Sequence, residues 1–427
     1  MFRTLKQLFS PINKDLRIRL LFTLFAMIIF IIGIGIQIPP RQFSVGKELG
    51  FLELINVMGG GALQQYSIFA LGVMPYITAS IIVQILEMGI IPYFSELKDE
   101  GPVGRQKLNK ITRYMGIIFA FIEGLAYSYA FLALPKASAF DHLYVAVVLT
   151  AGTAFLLWLG DQVTQKGIGN GISLLIMAGI VYKLPTMFAQ AFNALIPNAD
   201  PLYIGILLFA AFVLIYFLIL VGIIFVDEAE RRIPIQYSNK SSIYSNQSFM
   251  PIKVNTASVM PVIFASSLLA IPATIAQFVD KGNADGKFIK FVNTYLTYTK
   301  PVGFVLFIVL IFLFAYFYTF SQMKPKDLAK NLKENNGYIP NVRPGKDTEN
   351  YISKILSRLT IMGAIFLSII AGIPILFSAF SKLPSNVTIG GTSVLIVVGV
   401  ALETYKQLEG SLVSRNYKKG YSRRWEI

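Results

Sequence analysis

The sequence predicts an all-α integral membrane protein with about ten transmembrane helices. Hydrophobic residues make up 55% of the 427 residues and charged residues only 14%, whereas a soluble globular domain carries roughly 25% charged residues. The apolar residues also lie in long blocks. The first block, residues 20–38, is an uncharged run of 19 residues. A helix of that length rises about 28 Å, close to the hydrocarbon thickness of a bilayer.

Similar blocks recur along the whole chain, which excludes a signal peptide ahead of a soluble domain. Pro39, Pro40, Pro185 and Pro201 mark expected helix ends and starts. The blocks predict helices near residues 20–38, 73–94, 114–134, 143–160, 168–185, 203–226, 257–278, 301–320, 356–380 and 390–408.

Basic residues are concentrated in alternate connections between these spans. They lie in the first 19 residues, in the connection after the second span, in two long loops at 227–256 and 321–355, and in a tail at 409–427. With ten crossings, all these segments are on one side, and the positive-inside rule makes that side, and both termini, cytoplasmic. The connection 279–300, with four lysines, departs from the pattern. The net charge of +15 therefore needs no nucleic-acid partner.

Ten spans divide into two sets of five, and we place the division between residues 1–185 and 186–408. Two halves with an odd number of spans must face opposite ways, as in inverted-repeat transporters and channels. The sequence shows no residue-level repeat between the halves. The inverted arrangement is therefore predicted from topology alone.

The residues needed for common catalytic chemistry are missing. The chain has no cysteine and one histidine, His142, in a predicted loop, so a structural zinc site, a thiolate nucleophile and an iron–sulfur cluster are excluded. Residues 343–347 lack the spacing of a phosphate-binding loop, and residues 167–171 lack that of a dinucleotide fingerprint. We predict no enzyme activity, no cofactor and no metal.

A secondary transporter, or a flippase for a lipid-linked substrate, is the rival interpretation. Such proteins usually carry an ionisable residue near the middle of a span, because burying one is expensive unless it is used. Glu87, Glu123 and Glu403 lie within predicted spans, and we expect each of them towards a helix end or near a membrane interface. This placement favours a passive conduit.

A glycine-rich segment lies between the first two spans, reading GGGALQQYSIFALG at residues 59–72. It is too short to cross a bilayer, and irregular backbone persists at membrane depth only where protein buries it. On these residues alone, an external loop with a short interfacial helix is the alternative.

The run continues as VMPYITASIIVQ at residues 73–84. Here the chain closely resembles the SecY family, whose members carry a glycine-rich plug followed by a half-helix beginning Met-Pro-Tyr-Ile.

Further motifs extend the resemblance over nearly the whole chain, in the same order and spacing. They are Gly101 with Gly104 and Arg105, TRY at 112–114, GIGNGIS at 167–173, RRIPIQY at 231–237, KVN at 253–255, PVIFASS at 261–267, RPG at 343–345 and GTSVLI at 391–396.

The resemblance implies an hourglass pore with a constriction lined by aliphatic side chains. It places these at Val73, Ile77, Ile81, Ile172, Ile176, Ile263 and Ile396. The spacing of four residues within the second and fifth spans supports one shared face in each case. Such a ring suits a seal, because a narrow apolar constriction loses its water and blocks ions. The alternative for any one isoleucine is contact with lipid or with a neighbouring helix.

The same resemblance makes residues 59–71 the plug and the second, third, seventh and eighth spans a lateral gate. The plug residues are Gly59, Gly60, Gly61, Ala62, Leu63, Ser67, Ile68 and Phe69. Gln84 and Asn255 are expected gate contacts on the second and seventh spans, with Ser266 and Ser267 beside them. A hydrogen bond there would favour the closed state by about 1 kcal/mol. Ordinary interhelical contact is the alternative.

The resemblance also implies partners. These are SecE-type and SecG-type membrane subunits, the SecA ATPase, the ribosome, signal peptides, nascent polypeptides and membrane lipid, in a bacterial plasma (inner) membrane. Arg231, Arg232 and Arg343 are the expected partner contacts, because a guanidinium binds phosphate or carboxylate through two hydrogen bonds. Anchoring by the positive-inside rule is the alternative.

Three departures from the family pattern affect loops. Residues 238–242 read SNKSS, where the family is commonly more basic and glycine-rich, and Ser258 and Asn341 replace common glycines. They leave the expected pore residues untouched.

Overall fold

The computed structural model describes residues 14–39, 53–132, 138–197, 202–237, 248–279, 286–296, 300–381 and 390–422. These residues form nine long helices, several shorter ones and a small sheet. The helices are α1 (Lys14–Ile34), α2 (Glu53–Met58), α3 (Ala62–Gln65), α4 (Met74–Ile85), α5 (Pro92–Asp99), α6 (Pro102–Phe131), α7 (Ala139–Lys166), α8 (Gly171–Leu195), α9 (Leu202–Glu228), α10 (Met260–Val279), α11 (Lys287–Phe291), α12 (Pro301–Gln322), α13 (Pro325–Glu334), α14 (Lys346–Ser381) and α15 (Gly390–Ser422). The strands are β1 (Glu230–Tyr237), β2 (Ser248–Lys253) and β3 (Gly337–Tyr338), and π-helical turns follow α4 (Leu86–Ile90) and α11 (Val292–Leu296).

The long helices form one membrane-spanning bundle. Seven of the described helices are long and apolar enough to cross a bilayer, and α4 and α10 are shorter apolar helices. One continuous apolar cluster joins side chains from α1, α4, α6–α10, α12, α14 and α15. Large apolar side chains such as Leu21, Phe225 and Val305 face outwards and are at least 60% exposed. A surface of this kind suits lipid rather than water.

Nine of the ten predicted spans correspond to a helix of at least 20 residues, and several of these helices continue beyond the predicted apolar block. The second predicted span, 73–94, is broken: α4 has 12 residues and is followed by the π-helical turn and by an extended residue, Ile91, before α5. The third begins at Pro102 rather than near 114, and the ninth at Lys346 rather than near 356. Hydropathy locates only the part of a helix that lies in hydrocarbon, whereas backbone hydrogen bonding continues through the polar turns outside it.

Pro185 does not end a helix, contrary to our expectation. α8 continues through it to Leu195, so the first ten residues of the expected loop 186–202 are helical. Neighbouring helices can satisfy the carbonyl that a proline leaves unpaired in a membrane helix. The division of the chain into halves at residue 185 therefore falls inside a helix, and the position of that division stays a prediction.

The two long loops are joined by a three-stranded antiparallel sheet in the order β2-β1-β3. Arg231 pairs with Ile252, and Gln236 with Tyr338. A separate apolar cluster lies beneath the sheet and includes Ile233, Ile235, Ile252, Leu332, Ile339, Ile352, Leu356 and Leu359. The loops therefore fold together as one small unit at the base of α14.

Two of the three departures from the family pattern lie at strained positions. Ser258 has φ of 51° and Asn341 has φ of 64°, the left-handed region that glycine enters without steric cost. Asparagine tolerates this region better than most residues. The backbone therefore keeps a glycine-like conformation at both positions.

Close packing between α7 and α8 predicts the effect of one substitution. A Cβ at Gly171 would lie 1.9 Å from the carbonyl oxygen of Gly160, so Gly171→Ala should destabilise the protein by about 1–3 kcal/mol. Gly410, in α15, has no atom within 4 Å of an added Cβ, and Gly410→Ala should be neutral or slightly stabilising. Thermal unfolding in detergent compares the two, and equal midpoints would contradict this packing.

Candidate functional site

The seven expected ring residues come from four helices and lie in one apolar region. Six are no more than 7% exposed and belong to the main cluster. The seventh, Ile172, is half-buried and packs against that cluster. Val73 caps the start of α4, and Ile77 and Ile81 follow on the same face of that helix.

Three of these side chains share a cavity. Ile176 of α8, Ile263 of α10 and Ile396 of α15 line the same space of about 270 Å³. The other four expected ring residues do not line this cavity. We call it the vestibule, defined by these three isoleucines and by the charged residues Asp227, Lys253, Glu403 and Lys406.

The vestibule is polar on one side and apolar on the other. Two lysines and two carboxylates line it with neutral polar residues such as Asn170 and Gln322. Lys253 is the last residue of β2 and Asp227 lies at the end of α9, so the polar side opens towards the end of the bundle that carries the sheet. The isoleucines lie deeper in the bundle. A hydrated segment entering here would therefore meet a branched aliphatic barrier.

The helix bounds change the place of one vestibule charge. Glu403 was expected towards the end of the apolar span 390–408, and α15 continues beyond that span to Ser422, so its depth in the membrane stays a prediction. Asp227 was placed in the loop 227–256, but it belongs to α9 and is only 8% exposed. The signal available in the sequence was the position of Asp227 directly after the apolar block 203–226, where a helix can continue.

The plug segment is buried, so the alternative of an external loop is wrong. Gly59 to Leu63 are buried, as are Ser67 and Phe69, while Ile68 is half-buried. Its first part turns on the fully buried Asn56, whose carbonyl accepts the Gly61 amide at 2.7 Å and whose side chain accepts the Gln64 amide at 3.0 Å. These bonds satisfy the irregular backbone within protein, as membrane depth requires.

The first part of the plug packs against α8. A Cβ at Gly60 would lie 3.1 Å from the Cα of Gly179, so the two backbones approach closely. The Lys183 ammonium donates to the Gln64 side-chain oxygen at 3.2 Å. The α2–α3 portion therefore rests on a helix that also carries Ile172 and Ile176.

The second part of the plug is anchored elsewhere. Phe69 lies between α1 and α7, where its ring stacks on Phe30 and Phe155 at centroid distances of 6.0 and 5.9 Å. A Cβ at Gly33 would meet this ring at 1.9 Å, so glycine makes the space. The Tyr66 hydroxyl donates to the carbonyl of Tyr127 at 2.8 Å.

Short backbone pairing adds to this anchor. The Ile38 amide donates to the Tyr66 carbonyl at 3.1 Å, and the Ile68 amide donates to the Ile36 carbonyl at 3.0 Å. The segment 66–72 is thus tied to α1, α6 and α7, whereas 59–65 is tied to α8.

A second, apolar groove of about 270 Å³ lies between α4, α6 and α10. Ile82, Ile271 and Ile275 line it together with Ser267. Glu123, which sequence reasoning placed towards a span end, also lines it. We call this the gate groove, because it separates the helices of the expected lateral gate.

Gln84 and Asn255, the expected gate contacts, each hydrogen-bond to a residue on their own side of the gate. Gln84 donates to Ser80 of its own helix at 3.1 Å. Asn255 lies in the turn before α10 rather than on it, and donates to Asp227 at 3.0 Å. The hydroxyls of Ser266 and Ser267 donate to carbonyls one turn earlier in α10. Each of these four side chains therefore hydrogen-bonds to a partner on its own side of the gate.

The expected partner contacts lie on the surface of the protein. Arg231, Arg232 and Arg343 are exposed. The Arg232 Nε donates to Glu230 at 2.8 Å, and its guanidinium lies 4.7 Å from the centroid of the Phe249 ring. Arg232 is thus held flat on the sheet, with its other donors directed to solvent or a partner.

Comparison with known proteins agrees with the architecture. A family model described as SecY matches residues 67–405. The protein translocase subunit SecY of Bacillus subtilis (strain 168) is 44% identical, covering 98% of this chain and 99% of that relative. A solved structure of a protein conducting channel has a TM-score of 0.71 at 21% identity, covering 93% of both chains. Sec61 in the canine ribosome-channel complex has a TM-score of 0.68 at 20% identity, with the same coverage.

The Phe69 anchor predicts a loss of stability on truncation. Phe69 is 4% exposed, and Phe69→Ala should cost about 3–5 kcal/mol because it leaves a cavity between α1 and α7. Phe140, at the start of α7, is 74% exposed, so Phe140→Ala should change little. Thermal unfolding in detergent measures both, and a Phe69→Ala midpoint equal to that of Phe140→Ala would refute the anchor.

Proposed function

The chain belongs to the SecY family, and on this premise we propose that it is the central channel subunit of the Sec translocon. In this role it conducts unfolded secretory polypeptides across the membrane and releases transmembrane segments sideways into lipid. It acts as a passive conduit, and the energy comes from a SecA-type ATPase or from the translating ribosome. The proposal assigns no catalytic step to this chain.

The observation that carries the proposal is the vestibule with its aliphatic floor. Ile176, Ile263 and Ile396 come from three helices and meet below a polar cavity. Branched aliphatic side chains offer no fixed hydrogen bonds, so they can yield to many polypeptide sequences. At rest, an apolar constriction excludes water and therefore ions. We assign Val73, Ile77, Ile81 and Ile172 to the same ring.

The plug supplies a second seal in this proposal. The first part of the plug, residues 59–65, packs against α8, which also carries part of the ring. Its displacement requires the loss of the Lys183–Gln64 hydrogen bond and of the close Gly60–Gly179 contact. Both lie in the 59–65 part, so we assign the moving portion there and the fixed hinge to 66–72.

Lateral release takes place through the gate groove. An apolar helix leaving the channel needs an apolar path between α4 and α10, and Ile82, Ile271 and Ile275 provide one. The satisfied hydroxyls of Ser266 and Ser267 present no unpaired polar group to such a helix.

The cytoplasmic sheet is the proposed docking surface for the ribosome or a SecA-type motor. Arg231 and Arg232 of β1 and Arg343 before α14 are exposed on it. A guanidinium suits phosphate on RNA as well as carboxylate on protein. We also propose SecE-type and SecG-type subunits as membrane partners, and a bacterial plasma membrane location with both termini cytoplasmic.

Reconstitution with a secretory precursor tests the proposal. Proteoliposomes would contain this chain, a SecE-type partner, SecA and ATP, with a photo-crosslinking residue in place of Ile263. We expect protease-protected precursor and crosslinks to the translocating chain. The same residue in place of Ile365, which is 46% exposed on α14, should give protection without crosslinks to the precursor.

Other outcomes separate the function from the ring. Protection with equal crosslinking at Ile263 and Ile365 would keep the function and refute the ring. No protection, with partners active on a known channel, would favour the secondary transporter. Its candidate residue would be Glu123, the carboxylate lining the gate groove.

A further inference from the structure

The two sides of the expected lateral gate meet through polar side chains at the cytoplasmic end. On one side are the π-helical turn after α4 and the short helix α5, which carry Glu87, Lys98 and Asp99. On the other are Ser321, near the end of α12, and Lys324, which caps the start of α13. We call these five residues the clasp.

Lys98 is the centre of the clasp. Its ammonium lies 3.5 Å from the Glu87 carboxylate and donates to the Ser321 hydroxyl at 3.3 Å. The side chains of Lys98 and Glu87 are only 19% and 15% exposed, so water screens their attraction less than that of a surface pair. Lys98 therefore contacts Glu87 on its own side of the gate and Ser321 on the opposite side.

A second contact crosses at the same place. The Lys324 ammonium lies 3.8 Å from the Asp99 carboxylate, and these side chains are 43% and 74% exposed. An exposed pair of this kind contributes little stability. The Lys98–Ser321 contact is thus the stronger part of the clasp, and Asp99–Lys324 adds orientation.

Lys98 is held firmly on its own side. Leu97 packs in a small apolar cluster with Val83 of α4 and Leu108 of α6. A Cβ at Gly104 would lie 1.7 Å from the Leu97 carbonyl oxygen, so only glycine allows α6 to approach α5 this closely. Because α4, α5 and α6 are packed together, separation of α12 from α4 must break the contact to Ser321.

The local helix geometry points to the same place. Glu87 lies in a five-residue π-helical turn, Leu86–Ile90, at the end of α4. Such turns are rare and occur frequently at functional sites. The two polar groups that face Lys98, a carboxylate and a hydroxyl, come from opposite sides of the gate, which gives this lysine two alternative environments when the gate parts.

We propose that the clasp holds the cytoplasmic end of the lateral gate closed, with Lys98 as its positioning residue. The inference rests on the proposed channel function, because it assumes that α4 and α12 separate during transport. Opening transfers Lys98 from two partners to Glu87 alone. The hydrogen bond between Lys98 and Ser321 is present only when the gate is closed, so it contributes to the preference for the closed state at rest.

Introduced thiols measure gate closure directly, because the chain has no cysteine. Ile82→Cys in α4 and Ile271→Cys in α10 line the same groove, and a short bifunctional thiol reagent would join them only when the gate is closed. The full chain with its SecE-type partner would be assayed in membrane vesicles without precursor. The rate of crosslinking reports the closed population.

Two variants test the clasp, with matched controls. Ser321→Ala removes the contact across the gate and leaves Glu87–Lys98 intact, whereas Lys98→Met removes both. Each should raise the ratio of open to closed gate about two- to tenfold, the effect of one lost hydrogen bond. Lys98→Arg should keep most of the closure. Lys107→Met, which breaks the Lys107–Glu100 pair at 3.1 Å within one side, should change nothing.

The outcomes separate this inference from the channel function. Unchanged crosslinking in both Ser321→Ala and Lys98→Met would overturn the clasp, whether or not precursor is transported. An equal loss of crosslinking in Lys107→Met would also overturn it, because the effect would not depend on crossing the gate. Reduced crosslinking in Ser321→Ala without transport by the unmodified chain would support the clasp and refute the channel.

Discussion

The structure depends on one constraint, that backbone polar groups at membrane depth must be satisfied by the protein itself. Ten helices meet this requirement through their own hydrogen bonds. The segment 59–72 cannot, because it is irregular. It is tolerated because Asn56, Tyr127 and the backbone around Ile36 accept or donate its bonds. Irregular backbone therefore occurs in the middle of the bundle only where other helices surround it.

Small residues make that enclosure possible. Gly33 leaves room for the Phe69 ring, and Gly179 lies against the backbone of the plug. In lipid, such close approach is a main source of helix association, because apolar burial alone does not favour protein over hydrocarbon. At the gate groove the opposing helices present larger side chains such as Ile82 and Ile271 across a cavity.

Much of the fold followed from the sequence, because long apolar blocks have few structural solutions in a membrane. The ten spans and the burial of residues 59–71 are local or motif-based features, and they were found. The end of α8 was missed, because bundle packing overrides the helix-breaking tendency of Pro185. Gln84 and Asn255 were expected to make gate contacts, but each hydrogen-bonds to a nearer partner, Ser80 or Asp227, and their role at the gate stays a prediction.

The vestibule and the clasp were beyond sequence reasoning for a different reason. Asp227, Lys253 and Glu403 are far apart along the chain and meet only when three elements pack. Likewise, Lys98 and Ser321 are separated by 223 residues, and no local pattern marks either as a partner. A polar residue just outside an apolar block is common in membrane proteins. The role of such a residue depends on which residues it contacts in the folded protein.

The continuity of α14 has a mechanical consequence. This helix has 36 residues, a length of about 54 Å, and runs from the base of the sheet into the bundle, with Pro374 near its end. Leu356 and Leu359 fasten it to that sheet, while Leu367 and Ile370 fasten it to the membrane core. A force applied to the sheet is therefore transmitted to the membrane core through α14. Movement of the sheet is therefore transmitted to the second half of the channel, which two flexible loops could not do.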